Sequence, residues 1–163
     1  AFVNGDEFFE RDVLMPKLNK LHIHAYKYEG YLARICDMKS YFDENMKLLD
    51  DYNLDALFEG SPIYTKIHDD NPTRYIEGAK VQNVMTADGC VIEGEVENSI
   101  LFRGVKIAKG AKVKNCVVMQ GTVVEAGVDA EYLIMDKNVT ITAGKEIKGT
   151  STFPVYIGKF QKV

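Results

Sequence analysis

Leu101, Val118 and Met135 stand seventeen residues apart, and two neighbouring columns, Ile107, Val124, Ile141 and Val96, Val113, Ala130, keep the same spacing. A unit this short cannot bury an apolar face alone and must stack on its neighbours, so the period constrains the C-terminal half to a solenoid. Inside the period, Ile107, Val113, Val118, Val124, Ala130, Met135 and Ile141 follow one another at steps of five or six residues, which makes three short strands per coil. Four residues after these positions comes another small or branched side chain, at Ala111, Val117, Thr122, Val128, Ile134 and Val139, and only Lys145 breaks the series.

A large aliphatic at i, a small residue at i+4 and tight turns between them describe the hexapeptide repeat of a left-handed parallel β-helix, with both sets of side chains turned inward. A β-sandwich also alternates apolar and polar residues, but it has no reason to hold these steps through consecutive cycles. Gly89, Gly104 and Gly121, then Asn138, and likewise Gly110, Gly127 and Gly144, each precede an inward i+4 position. Gly and Asn are the residues that adopt positive φ cheaply. Asn83, Asn98 and Asn115 form a further column able to hydrogen-bond from coil to coil, and Tyr132 interrupts it. Val81 and Thr86, with Met85 and Cys90 at their i+4 places, make a first coil, and the step from Ile92 to Val96 is two residues short. The expectation is about three and a half coils from Val81 to Gly149, a deformed corner at Glu93 to Glu95, and a cover over the open end formed by Phe153 to Ile157.

The N-terminal third reads differently. His22 to Ile35, rich in aromatic and branched residues, predicts one or two strands. Asp37 or Ser40 is placed to cap a helix carrying Met38, Tyr41, Phe42, Asn45, Met46 and Leu49. An earlier short helix fits Asp12 to Leu21 if Pro16 lies in its first turn. Gly60, Ser61, Pro62 and the turn-prone Asp69 to Pro72 mark a boundary, with Ile63 to Ile67 extended between them. The chain is thus divided into an α/β tail of a larger domain over residues 1–51, a linker over 52–76 and the β-helix over 77–163. It starts at Ala1 without an initiator Met, and a fragment of a longer polypeptide is expected.

The 46% of hydrophobic residues suffices for a core, and a net charge of −4 without a long basic run argues against nucleic-acid and membrane-surface roles. No apolar stretch is long enough to span a bilayer. Cys36, Cys90 and Cys116 are odd in number and lack metal-type pairing, which fits a reducing cytoplasm, and Cys90 falls in a repeat slot that suits core packing.

Several phrases, in this order and at these distances, carry a resemblance: Tyr28-Glu29-Gly30-Tyr31, the helix phrase Ser40 to Leu49, Pro62-Ile63-Tyr64-Thr65-Lys66, and Pro72-Thr73-Arg74-Tyr75. They continue into Asp88 to Gly94, Val96-Glu97-Asn98-Ser99 and Phe102-Arg103-Gly104-Val105. Together they resemble the C-terminal part of bacterial glucose-1-phosphate adenylyltransferase (ADP-glucose pyrophosphorylase), in its regulatory GlgD-type form. The resemblance implies a nucleotidyltransferase family that joins ATP and glucose 1-phosphate for glycogen biosynthesis, with Mg²⁺ in its catalytic members, in the cytoplasm. It also implies a catalytic subunit as partner in a homo- or hetero-oligomer, with a β-helix that serves assembly and allosteric regulation.

Where catalytic members resemble Tyr-Trp-x-Asp-Val-Gly-Thr, this chain reads Tyr31-Leu32-Ala33-Arg34-Ile35-Cys36-Asp37, so Arg34 occupies the position of the family's metal-binding Asp. A guanidinium only donates and repels the ion, so no catalytic, cofactor or metal residue is expected here. No Gly-rich phosphate loop occurs in residues 1–80 either.

Two readings of Arg34 stand: an anion-binding fork, or a structural partner of a nearby carboxylate. His22 and His24 share a strand face without a third ligand, His68 lies in an acidic loop, and Lys106, Lys109, Lys112 and Lys114 are either an anion-steering cluster or solvated coil surface. Many left-handed β-helices are acyltransferases that use a coil His as base, but no His follows His68. A purely structural assembly module without effector binding remains the other alternative.

Overall fold

The computed structural model describes residues 5, 7–59, 63–64 and 69–163, which fall into two compact units, Ala1–Gly30 and Tyr31–Val163. In the first unit a wide π-helical turn over Phe9–Leu14 runs into a 3₁₀ turn, Met15–Lys17, where Pro16 sits in the opening positions that need no N–H partner. The strands expected over His22 to Ile35 do not form; these residues are irregular and almost all exposed. Branched and aromatic residues favour a strand only as part of a paired, half-buried surface, and no described strand pairs with this segment.

The second unit opens with helix α1, Met38–Lys47, and continues with α2, Asp51–Phe58. Both expected caps of α1 operate at once: the Asp37 carboxylate accepts from Ser40 N–H at 2.7 Å, and Ser40 Oγ accepts from Asp37 N–H at 3.0 Å. Helix α2 lies where a linker was expected, started by the Asp50 side chain, which accepts from Asn53 N–H at 3.3 Å. Ile63 and Tyr64 are exposed and irregular, whereas the expected boundary residues Gly60 to Pro62, the remainder of the extended segment, Thr65 to Ile67, and His68 lie outside the described residues.

Thirteen strands follow among the described residues: β1 Arg74–Tyr75, β2 Lys80–Thr86, β3 Val91–Ile92, β4 Glu95–Leu101, β5 Lys106–Ile107, β6 Lys112–Lys114, β7 Val117–Val118, β8 Val123–Val124, β9 Asp129–Glu131, β10 Leu133–Met135, β11 Thr140–Ile141, β12 Glu146–Lys148 and β13 Val155–Ile157. All pair in parallel, in the stacks β1-β3-β5-β8-β11 and β12-β9-β6-β4-β7-β10-β13, with β2 also on β4. The chain is mainly β, wound into a left-handed parallel β-helix. Strands β2 and β4 bend at Asn83 and Asn98, at φ 51° and 45°, so each serves two of the three faces.

The sequence columns are the structural registers: Leu101 pairs with Val118 and Val118 with Met135, while Ile107 pairs with Val124 and Val124 with Ile141. Their side chains fill one continuous core with Cys90, Val105, Cys116, Val128, Leu133 and Val139. Two polar residues are buried there and both are satisfied: Ser99 Oγ accepts from Cys116 N–H at 3.0 Å, and Thr122 Oγ1 donates to Asp136 O at 2.9 Å.

Two coils depart from the period. Lys80 pairs with Glu95, fifteen residues on, because the corner at Glu93 to Glu95 is shortened. Leu133 pairs with Val155, twenty-two residues on, because a turn bridged between Thr150 and Phe153 is inserted. That insertion hid the last coil from the periodicity. Phe153 to Ile157 is no cover: Val155–Ile157 is a ladder strand, Thr140 bridges to Lys162, and the solenoid runs from Arg74 to Val163 rather than from Val81 to Gly149.

The shortened corner requires glycine. A Cβ on Gly94 would lie 2.4 Å from Ala111 O and 2.8 Å from Ala108 O, backbone atoms of the next coil's turn that cannot swing aside. Gly94→Ala is therefore expected to destabilise the solenoid by about 2 kcal/mol or more, read as a lowered urea midpoint with an unchanged slope. Cys90 and Cys116 are buried and only Cys36 is exposed, and burial pushes the Cys116 thiol up to about 12. A chromogenic disulfide reagent at pH 8 should titrate one thiol in the native chain and three after denaturation.

Candidate functional site

The i+4 rule fails in an informative way at Val117 and Ile134. Both were expected inside the coil, yet the inward places are taken by Cys116 and Leu133, and Val117 and Ile134 are buried on the outside, in a second cluster with Phe42. The cause is local. Asn115 and Tyr132 adopt positive φ, 50° and 53°, and this corner resets the alternation so that the residue directly after it points in. The signal was present in the sequence, since Cys116-Val117-Val118 and Leu133-Ile134-Met135 are apolar at three successive strand positions, which implies burial on both faces.

What covers the outer row is α1. Ile100, Val117 and Ile134 stand in register along the solenoid and are 5%, 0% and 0% exposed. Phe42, itself 4% exposed, packs on Val117 and Ile134, with Tyr41, Met46, Met119 and Tyr132 around it. The Phe42 and Tyr132 rings lie 6.3 Å apart at 52°, a tilted aromatic pair. Tyr132 thus holds a left-handed conformation that costs about 1 kcal/mol in a bulky residue, and its ring contact with the helix offsets that.

The Asn ladder is real but short: Asn83 Nδ2 donates to Asn98 Oδ1 at 2.8 Å, while Asn115 turns to Glu131 at 3.5 Å. Polar contacts frame the seam. Tyr31 OH donates to Glu44 at 3.3 Å. Tyr156 OH donates to Asp136 at 2.7 Å, and the Asp136 carboxyl is held below its ordinary range by the Lys137 N–H and then by that hydroxyl. Burial pushes the Tyr41 hydroxyl up.

The other singled-out residues do not converge. Arg34 is exposed and belongs to none of the ion pairs found among the described residues, so the described structure supplies no carboxylate for its structural reading. His22 and His24 are exposed, and no group of three His, Cys, Asp or Glu side chains able to hold a metal occurs among the described residues. Lys106 stands on the face of β1, β3 and β5, Lys109 in a turn, and Lys112 and Lys114 on a different face, where Lys114 pairs with Glu97 at 3.2 Å. They are not one cluster.

A left-handed β-helix of hexapeptide repeats with a helix seated on its outer row defines the chain as a hexapeptide-repeat protein. The sequence model of the family described as "GlmU-like, C-terminal hexapeptide" matches residues 66–151, and this chain belongs to that family. It is similar to the glycogen biosynthesis protein GlgD of Bacillus subtilis (strain 168), 42% identical over 150 residues, 91% of this chain and 44% of that protein. It is also similar to a glucose-1-phosphate adenylyltransferase of Geobacillus stearothermophilus, 40% identical over 103 residues, 62% of this chain and 27% of the enzyme. A GlgD protein of the same organism is 54% identical over 66 residues, 40% of this chain and 19% of that protein. The resemblance read from the helix and hexapeptide phrases is borne out, and the chain spans less than half the length of these relatives.

Removing the Phe42 ring should cost about 3 kcal/mol. The Phe42→Ala chain is expected to show faster amide hydrogen exchange throughout Met38–Lys47, with β5, β8 and β11 as protected as before.

Proposed function

We propose that this chain is the C-terminal part of a non-catalytic, regulatory-type subunit of glucose-1-phosphate adenylyltransferase in glycogen biosynthesis, whose β-helix joins it to a catalytic partner and passes on effector state. One observation carries the reading: α1 is clamped by Phe42 onto Val117 and Ile134 of the outer row, so movement of whatever precedes the helix acts directly on a rigid stack. Close-packed seams of this kind transmit displacement because they do not deform continuously.

The residues present do not fit the Mg²⁺ of the catalytic members. Arg34, which the resemblance aligns with the metal-binding Asp, offers only donors and a positive charge, and no described carboxylate neutralises it. No reaction step is therefore assigned to this chain. Its role is binding and coupling, and the exposed guanidinium is free to meet an anionic group.

Two measurements test this. Full-length subunit assayed alone for ADP-glucose formation should show no measurable turnover, and adding it to its catalytic homologue should change the enzyme's response to sugar-phosphate effectors. Robust turnover by the lone subunit would overturn the reading of Arg34. Thermal shift with a panel of sugar phosphates separates regulation from the purely structural alternative: stabilisation that rises with ligand concentration is expected, and an assembly indifferent to all of them favours the alternative.

A further inference from the structure

Five strands, β2, β4, β6, β9 and β12, form a face, hollowed between its rows of side chains, that no other described element of the second unit covers, and their outward side chains stand in two registered columns. One column runs Lys80, Glu95, Lys112, Asp129, Glu146; the other runs Gln82, Glu97, Lys114, Glu131, Lys148. Repulsion between like charges directly opposite favours alternation of sign along a column, and every charged step keeps it except Asp129 to Glu146. It does not demand that both positions of one strand share a sign. Yet β4 shows two carboxylates, β6 two ammonium groups and β9 two carboxylates, so the face is striped.

Contacts within the chain use only part of this charge. Lys80 pairs with Glu95 at 2.7 Å, Lys114 with Glu97 at 3.2 Å and Lys148 with Asp129 at 2.7 Å. Lys112 and Glu131 are in none of the ion pairs found among the described residues.

We propose that this striped face docks against the same face of a second copy of the chain, across a two-fold axis parallel to the strands and midway between β4 and β6. That operator sets β4 of one copy opposite β6 of the other, and β2 opposite β9. Glu95 then meets Lys112, Glu97 meets Lys114, Lys80 meets Asp129 and Gln82 meets Glu131, each pair occurring twice, as a two-fold contact requires. An axis midway between β6 and β9 also pairs Lys112 with Asp129 and Lys114 with Glu131, but it sets Glu95 against Glu146 and leaves Lys80 without a partner; two other choices fail outright on charge. An axis along the solenoid sets Glu95 against Glu97 and Lys112 against Lys114, and an axis through β6 sets Lys112 against itself and Glu95 against Asp129.

With strands about 4.8 Å apart, four of them make a patch well below the roughly 1,000 Å² of a self-sufficient interface, so the contact is weak, charge-driven and salt-sensitive. The inference rests on the assembly role proposed above and names its surface.

Sedimentation velocity on the 163-residue chain at about 20 and 500 mM NaCl tests it, with circular dichroism melts confirming that each variant folds. The wild type should associate at low salt and dissociate at high salt. Lys112→Glu with Lys114→Glu, and separately Glu95→Lys with Glu97→Lys, should each stay monomeric. An equimolar mixture of the two should associate again, because opposite stripes are then restored across the axis. Lys112→Gln, which leaves every intrachain ion pair in place, should weaken association several-fold. Association of the wild type that both double variants retain, or two folded variants that do not recover on mixing, refutes the striped face while leaving assembly intact. A wild type that is monomeric at every salt and concentration refutes the striped face as a self-contact, and leaves the association with a catalytic partner to the mixing assay above.

Discussion

Everything in the second unit depends on parallel strands stacking in register, so that identical positions of successive coils lie over one another. Burial follows from this, because a column of Val, Ile, Leu and Met at one inward position makes a continuous rod of apolar contact that no single coil could form. So does its intolerance: any residue added to or removed from a coil must be absorbed locally, or every later side chain would change face. The fold absorbs one two-residue deletion at Gly94 and one five-residue insertion around Thr150 to Phe153, and the register is regained on both sides.

The same registry organises the outside of the coil. On one face it lines up Ile100, Val117 and Ile134, making an apolar strip that needs a cover and receives α1. On another it lines up charges, which alternate in sign at every opposed charged pair except Asp129 and Glu146. A solenoid therefore offers three surfaces of independent chemistry, and this chain uses one for a helix of its own and leaves a striped one uncovered by any other described element of the second unit. The coils contain no histidine, and their buried thiols are held protonated by desolvation.

The legible part of the candidate site was its scaffold. The capping pair Asp37 and Ser40, the positive-φ glycines and asparagines, and the short corner before Val96 could each be named in advance, because each is a local demand of backbone geometry. The helix seam was not named, although Phe42, Val117 and Ile134 had all been singled out. The i+4 rule turned Val117 and Ile134 inward, and only the left-handed corners at Asn115 and Tyr132 show that the alternation is reset there. Tyr132 looked like damage to an asparagine ladder and proves to be the ring on which Phe42 rests. The strand expected over His22 to Ile35 failed for the complementary reason: composition can suit a strand, but pairing partners are a property of the assembled fold.

The sequence alone determined the period, hence the solenoid, its inward columns and the residues at its turns, because a short repeat has only one way to bury its apolar positions. It also carried the resemblance to the adenylyltransferase family, and with it the expectation placed on Arg34. Tertiary structure decided which side of the wall Val117 and Ile134 face, where the last coil lies beyond its insertion, and which charges share a surface. Those outcomes depend on residues brought together from different coils, whose distances in space are set by the winding of the chain rather than by their separation along it.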